Sequence, residues 1–386
     1  MKKLKLTKLT AILAALTLAF VFASCSHEPD EYSKPEETKQ RPEPTESSLG
    51  ALQSLKAVEG FDNVYTVEYD GDYLLDDVIS SNLITSDELV TYLSTHIPSW
   101  KLAKENGIPL TINVSGAGCC SIAASNAGSA GGKIFGRNFD YPNGTAMILH
   151  TMPYKGYESV STSYPYFVTG NLWWKPTNQI ESDAISLGLI YAPLDGLNEK
   201  GLYMSILQLD EESTNQTDPN KKDVQTTVAV RYILDNAASV DEALEILRGF
   251  NMHNVFDTAY HYAIADNTGK SVVVEYINNE MKVKENVKVV TNHYLTDNVA
   301  KPLPNESSNS IKRYNAAYNA GETADWNMTP EQMRDALKAA KAIHDPSDTS
   351  FVSIWSAVFE PAAKKVTYYF REDYTKYVEV TFGNSN

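Results

Sequence analysis

The chain has 386 residues, 42% of them hydrophobic, and a formal charge of -16. Its 33 Lys and Arg are outnumbered by 49 acids, which excludes charge-driven binding to nucleic acid or to an anionic membrane surface, since both need clustered cations. An acidic surface of this kind reads as solvation and carries no function of its own.

In chain order, Lys2, Lys3, Lys5 and Lys8 precede an apolar run from Leu9 to Phe22 that ends at Ala23-Ser24-Cys25. The run is too short to cross a membrane as a stable helix, so it predicts a secretory signal over residues 1–24. Cys25, directly after the small residues, resembles the lipidated cysteine of a bacterial lipobox; the alternative is a plain signal peptide with a secreted product. Loss of residues 1–24 removes four lysines and no acid, taking the charge from -16 to -20. Attachment to the cell envelope, on the extracytoplasmic side, is then expected through the lipid anchor only. Residues 25–50 are rich in Glu, Pro, Ser and Lys, and predict a disordered tether that cannot bury enough apolar surface to offset its ordering entropy.

From Ala51 the composition turns globular. Residues 51–118 form an N-terminal segment or propeptide, and residues 119–386 the main domain. Tyr65 to Tyr69 reads as a strand, Ser86-Asp87-Glu88 opens a short helix through Leu93, and Ile108 to Val114 reads as a strand running into the glycines before Cys119. Thr226 to Ala237 is helical. Ser239-Val240-Asp241-Glu242 is a capping box for a helix ending at Gly249, and Thr329-Pro330-Glu331-Gln332 repeats the device for a helix to about Ile343. Strands are predicted at Tyr262 to Ala265, Ser271 to Ile277, Met281 to Val290, Ser353 to Phe359, Val366 to Phe370 and Tyr377 to Phe382, with turns at Asn278-Asn279 and Ala362-Ala363-Lys364. Long antiparallel runs with helices grouped between them predict an α+β fold.

Three decoys fall away. Gly128-Ser129-Ala130-Gly131-Gly132-Lys133 lacks the first glycine and the final Ser or Thr of a phosphate loop and reads as a hairpin turn. The seven histidines have no ligand spacing, so His261 and His293 read as pocket or core residues, and no metal or organic cofactor is implied. No Gly-x-Ser-x-Gly elbow anchors a serine triad. Cys119 and Cys120 remain. Adjacent Cα atoms lie about 3.8 Å apart, below the usual disulfide range of about 4.4 to 6.8 Å, so only a strained vicinal ring could join them. A free thiol in an exported protein, with Arg137 and Asp140 near in sequence, fits an amide-cleaving thiolate.

The blocks around these residues carry a resemblance. Gly118-Cys119-Cys120-Ser121-Ile122-Ala123-Ala124 and Gly136-Arg137-Asn138-Phe139-Asp140-Tyr141 are similar to the opening of the choloylglycine hydrolase family. Asp195-Gly196-Leu197-Asn198-Glu199-Lys200-Gly201-Leu202, Ala265-Asp266-Asn267-Thr268-Gly269-Lys270 through Glu275, and Val289-Val290-Thr291-Asn292 are similar to later blocks, in family order. The resemblance implies the four-layer αββα sandwich of N-terminal nucleophile hydrolases. It also implies an amidase of linear carbon-nitrogen bonds that acts on a small N-acyl amide through a thioester.

By resemblance, a cut before Cys119 would free an α-amine, with an unperturbed pKa of about 7.7 to 8.0, to serve as base. Arg137 would stabilise thiolate and substrate, Asp140 would hold the amine, Asn292 would supply the oxyanion hole, and Arg313 would lie near the nucleophile. Gln208 stands where bile salt hydrolases place an asparagine, and keeps the amide donor on a longer arm. Cys120 replaces the family's Thr or Ser and is the alternative nucleophile. Asn198-Glu199-Lys200-Gly201 shapes the backbone, and Trp173 and Trp174 either line an acyl pocket or pack a loop. Within the class, the substrate could be an N-acyl amino acid or amine, a penicillin with an aryloxyacyl side chain, or a conjugated bile acid. A silent lipoprotein that captures an acyl amide would share the fold, but it has no need of the full set Cys119, Arg137, Asp140 and Asn292.

Overall fold

In a computed structural model of the chain, residues 54–112, 118–129, 131–210, 213–254, 258–296 and 305–383 are described. The signal, Cys25 and the tether lie outside them. The chain begins with strands β1 (Ser54–Ala57) and β2 (Val64–Gly71) and helices α1 (Leu75–Ser80), α2 (Ser86–His96) and α3 (Pro98–Glu105). The hairpin β3 (Gly118–Asn126) and β4 (Lys133–Pro142) follows, then β5 (Ala146–Pro153), β6 (Ser159–Ser163), α4 (Tyr166–Thr169), α5 (Gln179–Ile190), β7 (Asp195–Asn198) and β8 (Tyr203–Leu209). The middle holds β9 (Lys222–Gln225), α6 (Thr226–Asn236), α7 (Val240–Arg248), β10 (Phe250–His253), β11 (Ala259–Ala265), β12 (Ser271–Ile277), β13 (Glu280–Glu285) and β14 (Val289–Val290). The chain closes with α8 (Asn309–Thr323), β15 (Asn327–Met328), α9 (Pro330–Ala339), β16 (Phe351–Glu360), β17 (Lys365–Phe370) and β18 (Asp373–Thr381).

Two sheets face each other. One runs β1-β2-β5-β6-β7-β8-β11-β12-β13, and the other β14-β3-β4-β16-β17-β18 with β15 beside β3. A single core joins their inner faces, with Cys119, Phe139 and Trp355 from one sheet and Leu149, Leu197 and Leu207 from the other. A second core lies outside the β3 sheet, where Ile122, Ala124 and Ile134 meet Ala317, Met333 and Leu337 of α8 and α9. Helix α6 covers the outer face of β7 and β8. The layers are therefore helix, sheet, sheet, helix, as the α+β expectation and the resemblance imply. Two glycines set the helix spacing: a Cβ on Gly196 would lie 2.6 Å from Leu234 of α6, and one on Gly136 would lie 2.6 Å from Met333 Sδ of α9.

Residues 54–112 are built into this body. β2 pairs in parallel with β5 and carries β1 on its outer edge. On α3, Trp100 is fully buried and donates from Nε1 to the Ala184 carbonyl of α5 at 2.8 Å, its ring lying over Gly188. Truncating a ring buried in this way costs about 3–5 kcal/mol.

The predicted starts of α6, α7 and α9 hold. Thr329 and Gln332 form the complete reciprocal cap, whereas Ser239 caps the Glu242 N–H while the Glu242 carboxylate turns to Ala238 N–H. Asn278 and Asn279, at φ +52° and +61°, make the two-residue turn between β12 and β13. Of the Gly128 to Lys133 stretch, residues 128, 129, 131 and 132 lie in the turn between β3 and β4, Lys133 opens β4, and 130 lies outside the described residues.

Three expectations need correction. Residues 108–112 are not a strand, since the Thr111 N–H bonds to the Val168 carbonyl of α4; 113 and 114 lie outside the described residues. The strand expected over Met281 to Val290 is two, because Asn286 turns the chain at φ +58° and Val289–Val290 crosses to pair with β3 in the other sheet. Helix α9 stops at Ala339 instead of running to about Ile343, and the Ala342 N–H is taken by Ser353 Oγ at 2.9 Å.

Candidate active site

The pleat of β3 decides where the two cysteines point. Successive side chains on a strand face opposite ways, so Cys119 enters the core between the sheets and Cys120 packs outward among Ile122, Met333 and Leu337. Both are free and buried. Burial pushes the Cys120 thiol up to about 12. Burial also pushes the Cys119 thiol up; Arg137 opposes this most at Cys119, as Arg313 does at Cys120.

On β4 the same alternation places Arg137 on the inner face beside Cys119 and Asp140 on the outer face. Arg137 is fully buried and donates from Nη2 to the Ile206 carbonyl at 2.8 Å, and the Cys119 sulfur lies 4.0 Å from the same oxygen. Asp195 pairs with Arg137 Nε at 3.5 Å and accepts the Trp355 Nε1–H at 2.9 Å. Burial drives both Asp140 and Asp195 carboxyls up, against Arg313 in the first case and Arg137 in the second.

The other half of the site surrounds the backbone of Cys119. Its N–H donates to Asn292 Oδ1 at 2.7 Å, and its carbonyl accepts from Arg313 Nη1. Arg313, which projects from α8, also donates to Asn292 Oδ1 at 2.7 Å and lies 3.3 Å from Asp140 Oδ2. Asp140 Oδ1 is held by the Ser353 hydroxyl at 2.6 Å. Asp140 is paired across the hairpin with Gly118, where a Cβ would sit only 3.1 Å from its carboxylate. Asn292 donates from Nδ2 to the Gln208 carbonyl at 2.7 Å, so Gln208 meets Asn292 through its backbone. Cys119, Arg137, Asp140, Asn292, Arg313 and Gln208 are thus brought together, and Cys120 stands on the far face of the strand.

Several buried polar atoms at the site make no close hydrogen bond, Arg137 Nη1 and Asp195 Oδ1 among them, while Arg137 Nε and Asp140 Oδ2 are held by ion pairs alone. Arg137 pairs with Asp195 on the inner face and Arg313 with Asp140 on the outer, so the charges nearest Cys119 cancel with its sulfur as a neutral thiol.

The sequence reading missed Asp195, the Ile206 carbonyl, Ser353 and Trp355. Asp195 did carry a signal, being an acid between Leu194 and Leu197 in a buried run. The neighbouring turn behaves as expected: Asn198 spends its side chain on the Leu234 and Ala237 carbonyls and on the Lys200 and Leu202 N–H groups. Trp174 is buried, bonds Glu181 through Nε1 and packs on Tyr65, which makes it a loop anchor; Trp173 is half exposed under Arg371. His261 and His293 are buried.

The model of the acyl-coenzyme A:6-aminopenicillanic acid acyl-transferase family matches residues 179–374 of this chain. That span includes Asp195, Gln208, Asn292 and Arg313 and begins after the β3–β4 hairpin. A penicillin V acylase of Pectobacterium atrosepticum is 34% identical over 110 residues, which are 25% of this chain and 29% of that protein. A bile salt hydrolase/transferase of Clostridium perfringens is 32% identical over 114 residues, 25% of this chain and 32% of that one. The chain thus spans about a third of the length of the curated relatives it matches. Among solved structures, a mutant conjugated bile acid hydrolase from Clostridium perfringens aligns with a TM-score of 0.47 at 16% identity, over 69% of this chain and 93% of its own.

Proposed function

We propose, on the premise that this chain belongs to the acyl-coenzyme A:6-aminopenicillanic acid acyl-transferase family, that it is an N-terminal nucleophile hydrolase that cleaves a linear amide through Cys119. The observation that carries the reading is the joint placement of a buried thiol against Arg137 and of its own backbone N–H against Asn292, beside Asp140 and Arg313.

The reaction begins on the chain itself. Cys119 Sγ attacks the Gly118 carbonyl carbon, the Gly118–Cys119 carbon-nitrogen bond breaks, and the nitrogen leaves as the α-amine. Water then hydrolyses the thioester, leaving Gly118 with a carboxylate and Cys119 with a free thiol. Asp140, which already flanks Gly118, holds the new α-amine. In turnover the amine takes the thiol proton as Sγ attacks the substrate carbonyl, and returns it to the departing amine. Asn292 supplies an amide donor where negative charge collects on the substrate oxygen, and the Gln208 carbonyl holds that amide in place. Water enters with the α-amine as base, the thioester opens to a carboxylic acid, and the thiol is restored.

The substrate is a small N-acyl amide. The penicillin V acylase relative points to acylated β-lactams and the bile salt hydrolase/transferase relative to bile salts, and the longer amide arm of Gln208 weighs against the second. Lipidation at Cys25 places this activity on the extracytoplasmic side of a bacterial envelope. The test is the intact mass of the chain expressed from Ala51, taken under denaturing conditions, with amine release measured from a panel of acyl amides. The expected result is two fragments meeting at Gly118 and Cys119, together with amine release. A single uncut chain that releases no amine overturns the reading.

A further inference from the structure

Residues 291–296, which carry Asn292, follow β14 without regular structure of their own. A buried Glu275–His261 pair on the nine-stranded sheet holds them. Glu275 of β12 accepts the Leu295 N–H at 2.7 Å on one oxygen and the Thr296 N–H at 2.8 Å on the other. His261 of β11 places Nδ1 3.2 Å from Glu275 and Nε2 2.7 Å from the Thr291 carbonyl, which can only accept, so Nε2 donates. Both side chains are fully buried. Burial alone would raise the Glu275 carboxyl, but His261 and the N–H donors outweigh it and hold it below the usual carboxylate range.

Stability alone does not account for the pair. A buried pair of polar, ionisable side chains is a weak stabiliser, and apolar residues of similar volume commonly serve as well. The surrounding strands are apolar, with Tyr262, Ile264, Val272, Val273 and Val274 all buried. The pair grips the backbone on both sides of residues 292–294, at Thr291 before Asn292 and at Leu295 and Thr296 after Tyr294. We propose that Glu275 and His261 are positioning residues that fix Asn292 against Cys119 and the reacting carbonyl. The proposal rests on the reading that Asn292 serves that carbonyl, where a displacement of about 1 Å can cost about 100-fold in rate.

Glu275→Gln tests it without changing size, because the new amide group must turn its NH2 toward one of the two backbone N–H donors. Hydrogen exchange at Leu295 and Thr296 should quicken by about tenfold or more while β11 and β12 keep their protection. Turnover per alkylatable Cys119 should fall by about 100-fold with KM within about twofold. In an Asn292→Ala background the same change should add no further loss, since it acts only through Asn292. Unchanged exchange over 291–296, equal loosening of β11 and β12, or additive losses in the double variant would overturn the proposal. A wild type that cleaves no amide removes the functional reading, and the exchange result still decides the clamp. If Glu275→Gln does not fold, His261→Gln, which keeps an amide donor for Thr291, should give the same local pattern in weaker form.

Discussion

Cys119→Ala will abolish both self-cutting and amine release, a loss of about 10⁴-fold or more in turnover, while Cys120→Ala will keep both within a few-fold. On the proposed reading Cys119 is a nucleophile that acts as a unit with its base, and the magnitude follows from removing it. The asymmetry follows from the pleat, since only Cys119 shares the inter-sheet space with Arg137 and only its backbone nitrogen meets Asn292. Cys120 sits among apolar side chains with its thiol pushed up to about 12, where a thiolate is absent at neutral pH. Denaturing mass spectrometry reads the cut, and an amine assay reads the turnover. A dead Cys120→Ala beside an active Cys119→Ala would reverse the assignment.

Alkylation of Cys119 at pH 7 will be about 100-fold faster in the cut chain than in the uncut chain. Before the cut, Arg137 and Arg313 are matched by Asp140 and Asp195, and a thiolate would add an unbalanced negative charge in a dry interior. Burial therefore wins and holds the thiol above its usual range. The sign is fixed by that direction: the uncut chain gains reactivity only as pH rises through the raised value, about tenfold for each pH unit below it. Cutting adds an ammonium beside Asp140, so thiolate and ammonium together leave the enclosure neutral. A short pulse of labelled iodoacetamide on partly processed protein measures this, since denaturing gels separate the two forms and peptide mapping separates Cys119 from Cys120. Equal labelling of Cys119 in both forms would show that the cut does not awaken the thiol.

Much of this arrangement can be read from the sequence where the deciding physics is local. The caps at Ser239 and Thr329 and the Asn278-Asn279 turn depend on neighbouring atoms only, and they appear where expected. Helix α5 escapes such reading because Ser182 and Ala184 to Ile190 are buried on every side, leaving no polar face to mark a period. The split between β13 and β14 hangs on one left-handed Asn286, and the destination of Val289 in the other sheet is set by tertiary pairing. At the site, Cys119, Arg137, Asp140 and Asn292 stand out by residue type and by the blocks around them. Asp195, the Ile206 carbonyl and Ser353 do not, because their roles exist only once three strands have been brought side by side.

Residues 54–112 share the core with the rest of the chain, through the parallel seam between β2 and β5 and through Trp100 over α5. A cut before Cys119 therefore releases nothing at first: the two pieces stay wound into one body. Its effect is on reversibility. An uncut chain that unfolds can refold alone, at a rate independent of dilution, whereas the two pieces of a cut chain must find each other, and mass action then works against them as concentration falls. Maturation would thus turn folding from an equilibrium into a single event, after which the enzyme persists only for as long as it does not open.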